Sequence, residues 1–269
     1  EDGVDPETSY YCPGYTILGN RRFGCWKEEG HGHMNMRQGI ANSCNVFFFN
    51  TARKLGIDPI EAMSYRMGLG KPLGLNLPGE KSGLVPSREW KRGRFNDGWP
   101  TGDTLNTGIG QGFLLTTPLQ LATMMARIAS GEAVFPALTT QEQSYPFANL
   151  GLSPRSLGIV HEGVRMVLQP GGTAYGSRLR TKGVLMGGKT GTAQVISKKR
   201  YKAIEHQLSA SERKRRDHHA LFVGFAPVSA PKYAISVIVE HGGSGSAAAA
   251  PVARDVMDTL LKIDAEGAS

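Results

Sequence analysis

Residues 184–195, Val-Leu-Met-Gly-Gly-Lys-Thr-Gly-Thr-Ala-Gln-Val, set Lys189, Thr190, Gly191 and Thr192 between apolar flanks. The pattern reads as a β-strand whose middle is given over to a ligand. Lys189 offers charge to a carboxylate, and Thr190 and Thr192 offer hydroxyl donors. Gly191 omits a side chain that would stand between the strand backbone and a chain laid along its edge, so the segment suits a peptide docked by strand addition. Taken alone, a Lys-Thr-Gly triplet is a weak signal, and an exposed glycine-containing strand with a solvated lysine is the commoner meaning. A second polar group, Ser43-Cys44-Asn45, interrupts a helical pattern with residues that prefer caps and turns.

The elements that must position these groups follow from periodicity and punctuation. Residues 1–33 read as loop, and a helical pattern runs over 34–42. Residues 46–55 form a mostly apolar helix with Phe47, Phe48 and Phe49 buried, stopped by Gly56. Asp58-Pro59-Ile60-Glu61 reads as the N-cap, first-position proline and capping acid of the next helix. Residues 68–112 are rich in glycine and proline and read as long, functional connections.

Within them, Gly108-Ile109-Gly110-Gln111-Gly112 has the loose spacing of a phosphate loop but follows no clear strand and lacks the Lys-Ser/Thr ending. Thr117-Pro118-Leu119-Gln120 is a capping box for a helix to about residue 129, with Leu121, Met124, Met125 and Ile128 on its buried face. An amphipathic helix over 156–168 precedes Gly171-Gly172-Thr173-Ala174 and the Lys-Thr-Gly strand. Strands over 220–226 and 233–240 and a helix over about 248–263 complete the chain. A helical block followed by strands and a helix is an α+β arrangement, helices against an antiparallel sheet.

At 269 residues the chain buries a real core as one large domain or two small ones, and 40% hydrophobic with 20% charged residues is ordinary for a soluble globular protein. A net charge of +8 suits nucleic acid, an anionic membrane surface or an acidic polymer alike, and so selects nothing by itself. The basic run 198–216 has no interleaved aromatic ladder and reads as a solvated loop or hairpin rather than a nucleic-acid patch. No apolar run spans a bilayer and no signal peptide is present, so any membrane anchor is expected outside this chain.

Ser43-Cys44-Asn45 between two helices, a Gly-Gln-Gly loop before a capped helix, and Lys189-Thr190-Gly191 on a late strand together resemble the transpeptidase domain of class B penicillin-binding proteins of the elongation type, penicillin-binding protein 2. The likeness runs through nearly the whole chain: Gly30-His31-Gly32, Arg88-Glu89-Trp90-Lys91, Gly102-Asp103-Thr104, Ile109-Gly110-Gln111-Gly112, Thr117-Pro118-Leu119-Gln120, residues 188–195 and Phe222-Val223-Gly224-Phe225-Ala226-Pro227. It implies the penicillin-binding transpeptidase, serine β-lactamase-like fold: α+β, a five-stranded antiparallel sheet with helices on both faces. This chain is expected to supply three of those strands and most of the helices. Residues 1–269 then make one partial domain: a cysteine-containing loop leading to Ser-x-Asn (1–45), a mainly helical part (46–180), and the sheet strands with the C-terminal helix (181–269).

The implied activity is D,D-transpeptidation of peptidoglycan in lateral wall synthesis. A serine attacks the D-Ala-D-Ala amide of one stem peptide and passes the acyl group to an amine on another, and β-lactams are trapped as acyl-enzymes. Carried over by motif, Ser43 relays a proton to the leaving nitrogen, and Asn45 holds the substrate amide. Lys189 stabilises negative charge and sets the protonation of Ser43. Thr190 and Thr192 hold the terminal carboxylate beside Gly191, and the Thr192 N–H supplies one arm of an oxyanion hole.

Stem peptides, β-lactams, a glycosyltransferase and scaffold proteins of the elongation machinery are the implied partners, at the periplasmic face of the inner membrane. No organic cofactor and no nucleic acid is expected. The chain departs from the family in one respect: no Ser-x-x-Lys motif precedes Ser43. The formal match, Ser211-Glu212-Arg213-Lys214, comes after the Lys-Thr-Gly strand in a charged segment where a lysine keeps its ordinary pKa. The nucleophile is therefore expected shortly upstream of Glu1, with the first strands, and the chain as written is expected not to acylate. A non-catalytic stem-peptide or β-lactam binding module, and a D,D-carboxypeptidase or β-lactamase, are the competing readings.

Cys12, Cys25, His31 and Cys44 lie in or beside the segment leading to Ser-x-Asn, and make a Cys₃His set, the donor set of structural zinc. Some elongation-type members carry metal-ligand residues here, which favours zinc pinning this loop to the Ser-x-Asn turn. A Cys12–Cys25 disulfide with Cys44 buried and free is the alternative in an oxidising periplasm. In a third reading His31 is a hydrogen-bonding residue at a helix start, with His33 equally eligible as a ligand.

Overall fold

The computed structural model describes residues 3–75, 78–139, 146–195, 206 and 208–267. The N-terminal segment, expected as loop, holds two small antiparallel ribbons. Strand β1 (Tyr10–Cys12) pairs with β4 (Gly32–Met34), and β2 (Tyr15–Leu18) with β3 (Arg21–Gly24). Strands of three or four residues are too short to show alternation. They close over Cys12, Phe23 and Cys25, which are buried together with Cys44, Phe47 and Phe49.

Helix α1 (Met36–Ala41) starts at a capping box between Asn35 and Gln38, and α2 (Asn45–Leu55) buries Val46, Phe47, Phe49 and Ala52. Phe48, expected in the core with its neighbours, is only half-buried and lines a groove. Helix α3 (Ile57–Arg66) starts before the expected Asp58 cap: Gly56 both ends α2 and caps α3. Asp58 sits in the first turn instead, its carboxylate taken by Arg88 Nε at 2.9 Å.

Two helices stand where residues 68–112 read as connections: α4 (Arg88–Phe95), capped by Ser87, and α5 (Thr101–Gly108). Both are eight residues long, below the length at which an isolated helix is stable, so packing must hold them. Lys91, buried on α4, donates to the Asp103 carboxylate of α5, with Asp97 nearby, and Trp99 Nε1 donates to Thr104 Oγ1 at 2.8 Å. A Cβ at Gly108 would come within 2.5 Å of Ala52 Cβ, so α5 lies hard against α2.

Helix α6 (Pro118–Ser130) carries the expected Thr117/Gln120 capping box, and buried Gln120 also donates to the carbonyls of Lys71 and Ser82. Helix α7 (Pro154–Met166) follows, capped by Ser153. Strand β5 (Gly187–Ala193) is the Lys-Thr-Gly segment. After a short helix α8 (Ala210–Lys214) come β6 (His219–Ala226), β7 (Tyr233–Val239) and, through a π-helical turn at Gly245–Ala249, α9 (Ala250–Gly267). Part of the basic run read as a loop or hairpin, 198–205 and 207, lies outside the described residues.

The sheet is antiparallel in the order β5-β6-β7. Every residue from Phe222 to Ala226 is buried, so this part of β6 is continuously apolar rather than alternating, as a strand covered on both faces must be. α6, α7 and α9 pack against this sheet, and its core joins Phe222 and Phe225 to Ile40, Met125, Val164 and Met257.

Candidate active site

The turn between α1 and α2 places Ser43. Its N–H donates to the Ile40 carbonyl at 3.2 Å and the Cys44 N–H to the Gly39 carbonyl at 3.0 Å. This is the paired bonding of a Schellman helix stop, whose left-handed residue is usually glycine. Here that residue is Ser43, with φ +52°. A side chain in this conformation is strained, a cost found mostly at functional sites. The Ser43 hydroxyl opens on the groove, while Cys44, the next residue and the N-cap of α2, makes no capping bond and turns its sulfur inward.

The facing wall is β5. A Cβ at Gly188 would lie 2.3 Å from Phe222 Cζ, so the glycine before Lys189 makes room for a core ring. Lys189 Nζ donates to Ser43 Oγ and to the Thr190 carbonyl, both at 2.8 Å. Burial pushes the Lys189 ammonium down to about 8 from its ordinary 10.5, because a charge surrounded by protein loses solvation. Its neutral amine is therefore within reach near physiological pH.

Thr190 Oγ1 lies 3.2 Å from Thr173 Oγ1, and the Thr173 N–H is held by the Ala41 carbonyl. The absent side chain of Gly191 would point at Leu221 Cβ, 3.3 Å away across the strand pair. Strand side chains leave through the faces of the sheet, so this glycine clears the face beside Leu221 rather than the edge, as the sequence reading had it.

Ser43, Asn45, Lys189, Thr190, Gly191 and Thr192 all line one groove of about 710 Å³. Asn45 Nδ2 donates to the Gly24 carbonyl at 3.2 Å, tying α2 to the end of β3. Trp26, Gln111, Thr173 and His218 also line it, and the sequence reading assigned them no role. For Trp26 the available signal was its position beside Cys25: its Nε1 donates to the Asn42 carbonyl at 3.0 Å and its ring meets the His31 ring edge-on at 5.3 Å. Ser211, the formal Ser-x-x-Lys match, is exposed on α8, is bonded to Ser209, and does not line the groove.

Behind the Ser43 turn, one ligand atom each from Cys12, Cys25, His31 and Cys44 lies within 4.8 Å of the others. All three cysteines are free thiols. His31 Nδ1 is 3.7 Å from Cys12 Sγ and 3.5 Å from Cys25 Sγ. Tetrahedral zinc with its usual bond lengths requires a sulfur–nitrogen separation of roughly 3.6 Å, so the donor set fits. His31 Nε2 is buried without a hydrogen-bond partner among the described residues. A proton on Nε2 leaves the Nδ1 lone pair directed at the sulfurs. The hydrogen bond from Cys44 holds the Cys25 thiol well below its ordinary pKa, and the same bond together with burial holds Cys44 above it. His33 is paired in β4 with Tyr11 and stands outside the cluster.

The penicillin binding protein transpeptidase domain family matches residues 1–258. Peptidoglycan D,D-transpeptidase MrdA of Salmonella typhimurium is 34% identical over 279 residues, covering 98% of this chain and 44% of that protein. The structure of Pseudomonas aeruginosa PBP2 in complex with WCK 5153 superposes with a TM-score of 0.81 at 36% identity, over 96% of this chain and 54% of that one. Helicobacter pylori PBP2 in its complex with MreC superposes with a TM-score of 0.84 at 31% identity, over 97% of this chain and 46% of that one. The chain thus spans less than half the length of the curated relative it matches.

Proposed function

The chain belongs to the penicillin-binding protein transpeptidase family, in the class B branch of elongation-type PBP2, and from that premise we propose that it forms the substrate-binding part of a peptidoglycan D,D-transpeptidase site. The observation that carries the reading is the 2.8 Å contact between Lys189 Nζ and Ser43 Oγ across the groove. In this reading a stem peptide lies along β5 with its terminal carboxylate against Thr190 and Thr192. Asn45 holds a substrate amide. Ser43 delivers its hydroxyl proton to the departing D-alanine nitrogen, and the Lys189 ammonium that donates to it, with its pKa lowered by burial, returns a proton to Ser43 and is left as the neutral amine. The Thr192 N–H stabilises the oxyanion.

The groove hydroxyls belong to Ser43, Thr173, Thr190, Thr192, Ser244 and Ser246, and none is followed three residues later by lysine. In the proposed reading none of these hydroxyls is the acylating one. The same observation supports, as a second reading, a groove that binds D-Ala-D-Ala peptides without acylation. Labelled penicillin decides: the full-length protein forms a covalent adduct on a serine other than Ser43 and Ser211. An adduct on either overturns the assignment, and no adduct alongside reversible peptide binding selects the second reading.

Structural zinc belongs to the same proposal, held by Cys12, Cys25, Cys44 and Nδ1 of His31. When bound, it supplies a rigid cross-link between the β1–β4 ribbons and the turn that carries Ser43. The MreC complex of the Helicobacter relative supports scaffold proteins as partners, beside stem peptides, β-lactams and a glycosyltransferase. No described helix is long and apolar enough to cross a membrane. The proposed location is the periplasmic face of the inner membrane.

A further inference from the structure

Among the described residues β5 ends the sheet, so one of its edges is bonded to β6 and no strand pairs with the other. On the groove side, the Thr192 carbonyl accepts a hydrogen bond from Gln111 Nε2 at 2.9 Å. Gln111 is 81 residues away in sequence and belongs to the loop that follows α5. That loop is tightly built. The Gly110 N–H donates to the Thr107 carbonyl and the Gln111 N–H to the Asn106 carbonyl, both at 2.9 Å. Gly110 and Gly112 flank Gln111 with φ of +74° and +78°, a conformation that only glycine adopts without strain. Two such residues turn the chain sharply on either side of Gln111, and α5 beneath it is locked to α4 by Lys91 and Asp103.

A peptide added to a sheet edge makes its bonds in both directions, its own N–H groups donating to the edge carbonyls and its carbonyls accepting from the edge N–H groups. A docked strand sits roughly 4.8 Å from its neighbour, with its N–H where the Gln111 carboxamide N–H now is. The side chain therefore imitates one rung of the ladder that a ligand has to form. We propose that Gln111 is a strap over the β5 edge, holding the substrate's place on the Thr192 carbonyl, which any strand-docked peptide must displace. This rests on the reading of β5 as the peptide-binding strand. The strap keeps the edge satisfied when no ligand is present, which blunts pairing with unrelated strands, and it lowers the affinity of every ligand long enough to donate to the Thr192 carbonyl. A ligand whose carboxylate meets only the Thr190 and Thr192 hydroxyls leaves it in place.

Gln111→Met keeps the length and bulk of the side chain and removes the donor. Two probes are used, an acetylated tripeptide ending in D-Ala-D-Ala and N-acetyl-D-alanine, which fills only the carboxylate end. By calorimetry, Q111M is expected to bind the tripeptide roughly two- to tenfold more tightly, the scale of one net hydrogen bond, and N-acetyl-D-alanine with unchanged affinity. In the unmutated protein, the side-chain amide resonances that Q111M removes should shift on addition of the tripeptide alone. Weaker or unchanged tripeptide binding by Q111M overturns the strap, as does an equal gain for both probes. Thr190→Val separates the two levels. If T190V abolishes tripeptide binding and Q111M brings no gain, only the strap falls. If the unmutated protein binds no tripeptide, the peptide-groove reading falls and takes the strap with it.

Discussion

Lys189 Nζ lies 2.8 Å from Ser43 Oγ although the two residues are 146 apart in sequence. The contact joins the end of a strained helix stop to the middle of an edge strand, and the chemistry proposed for the groove depends on it.

The lowered pKa of Lys189 has a signed consequence for stability. Below about pH 8 the ammonium is charged in both folded and unfolded chains, and the folded state bears the full burial cost. Between about 8 and 10.5 the folded chain releases a proton that the unfolded chain keeps, so this group's contribution to stability rises with pH. Urea midpoints of the unmutated protein measured against Lys189→Met should therefore improve across that window, with other titrations cancelling in the difference. A difference independent of pH rejects the shifted lysine.

Ser43→Ala and Ser43→Gly both delete the hydroxyl, but only glycine fits the left-handed backbone at φ +52° without strain. S43G is expected to be more stable than S43A by about 1–2 kcal/mol, measured as a difference in denaturant unfolding. Both should lose the proton relay proposed for the groove. Equal stabilities exclude a strained Ser43.

For the metal, protein purified in metal-free buffer should carry about one zinc per chain, the content of a closed Cys₃His site. His31→Ala should lose it. Chelation should lower the melting temperature, since a bound metal adds its binding free energy to folding. Absence of zinc together with a mass two hydrogens short favours the Cys12–Cys25 disulfide instead.

Lys91 is buried against Asp103 and Asp97, and it joins α4 to the helix that presents the Gln111 loop. Lys91→Met leaves the partly buried Asp103 carboxylate without its donor and should cost about 1–3 kcal/mol. Adding Asp103→Leu should recover much of that loss. A double variant no more stable than the single one shows that the pair is not coupled.

The strongly punctuated elements could be read directly from the chain. The Thr117/Gln120 box, the apolar run after Asn45 and the Gly-Gly-Lys-Thr-Gly strand each carry a local signal that the fold preserves. Helices α4 and α5 had no such signal, being short and set among glycines and prolines. The Lys91 and Asp103 contact that helps hold them links residues 12 apart in sequence, beyond the reach of any helical period. The four N-terminal strands were too short to alternate, and the cap expected at Asp58 moved because Gly56 serves both neighbouring helices. The inward role of Phe48 failed for a related reason: three consecutive residues on a helix are spread around it, and one of them had to face the groove.

By itself the sequence determined which chemical groups are present and which local segments carry them: a lysine between hydroxyls on a strand, a Ser-x-Asn turn, and three thiols with an imidazole. Those are properties of residue type and short-range spacing. Only the tertiary structure decided that Lys189 reaches Ser43, that Ser43 takes a backbone shape normally left to glycine, and that Gln111 bridges to Thr192. Each of these is a contact between segments distant in the chain or a strain that packing sustains, and its free energy depends on the assembled core.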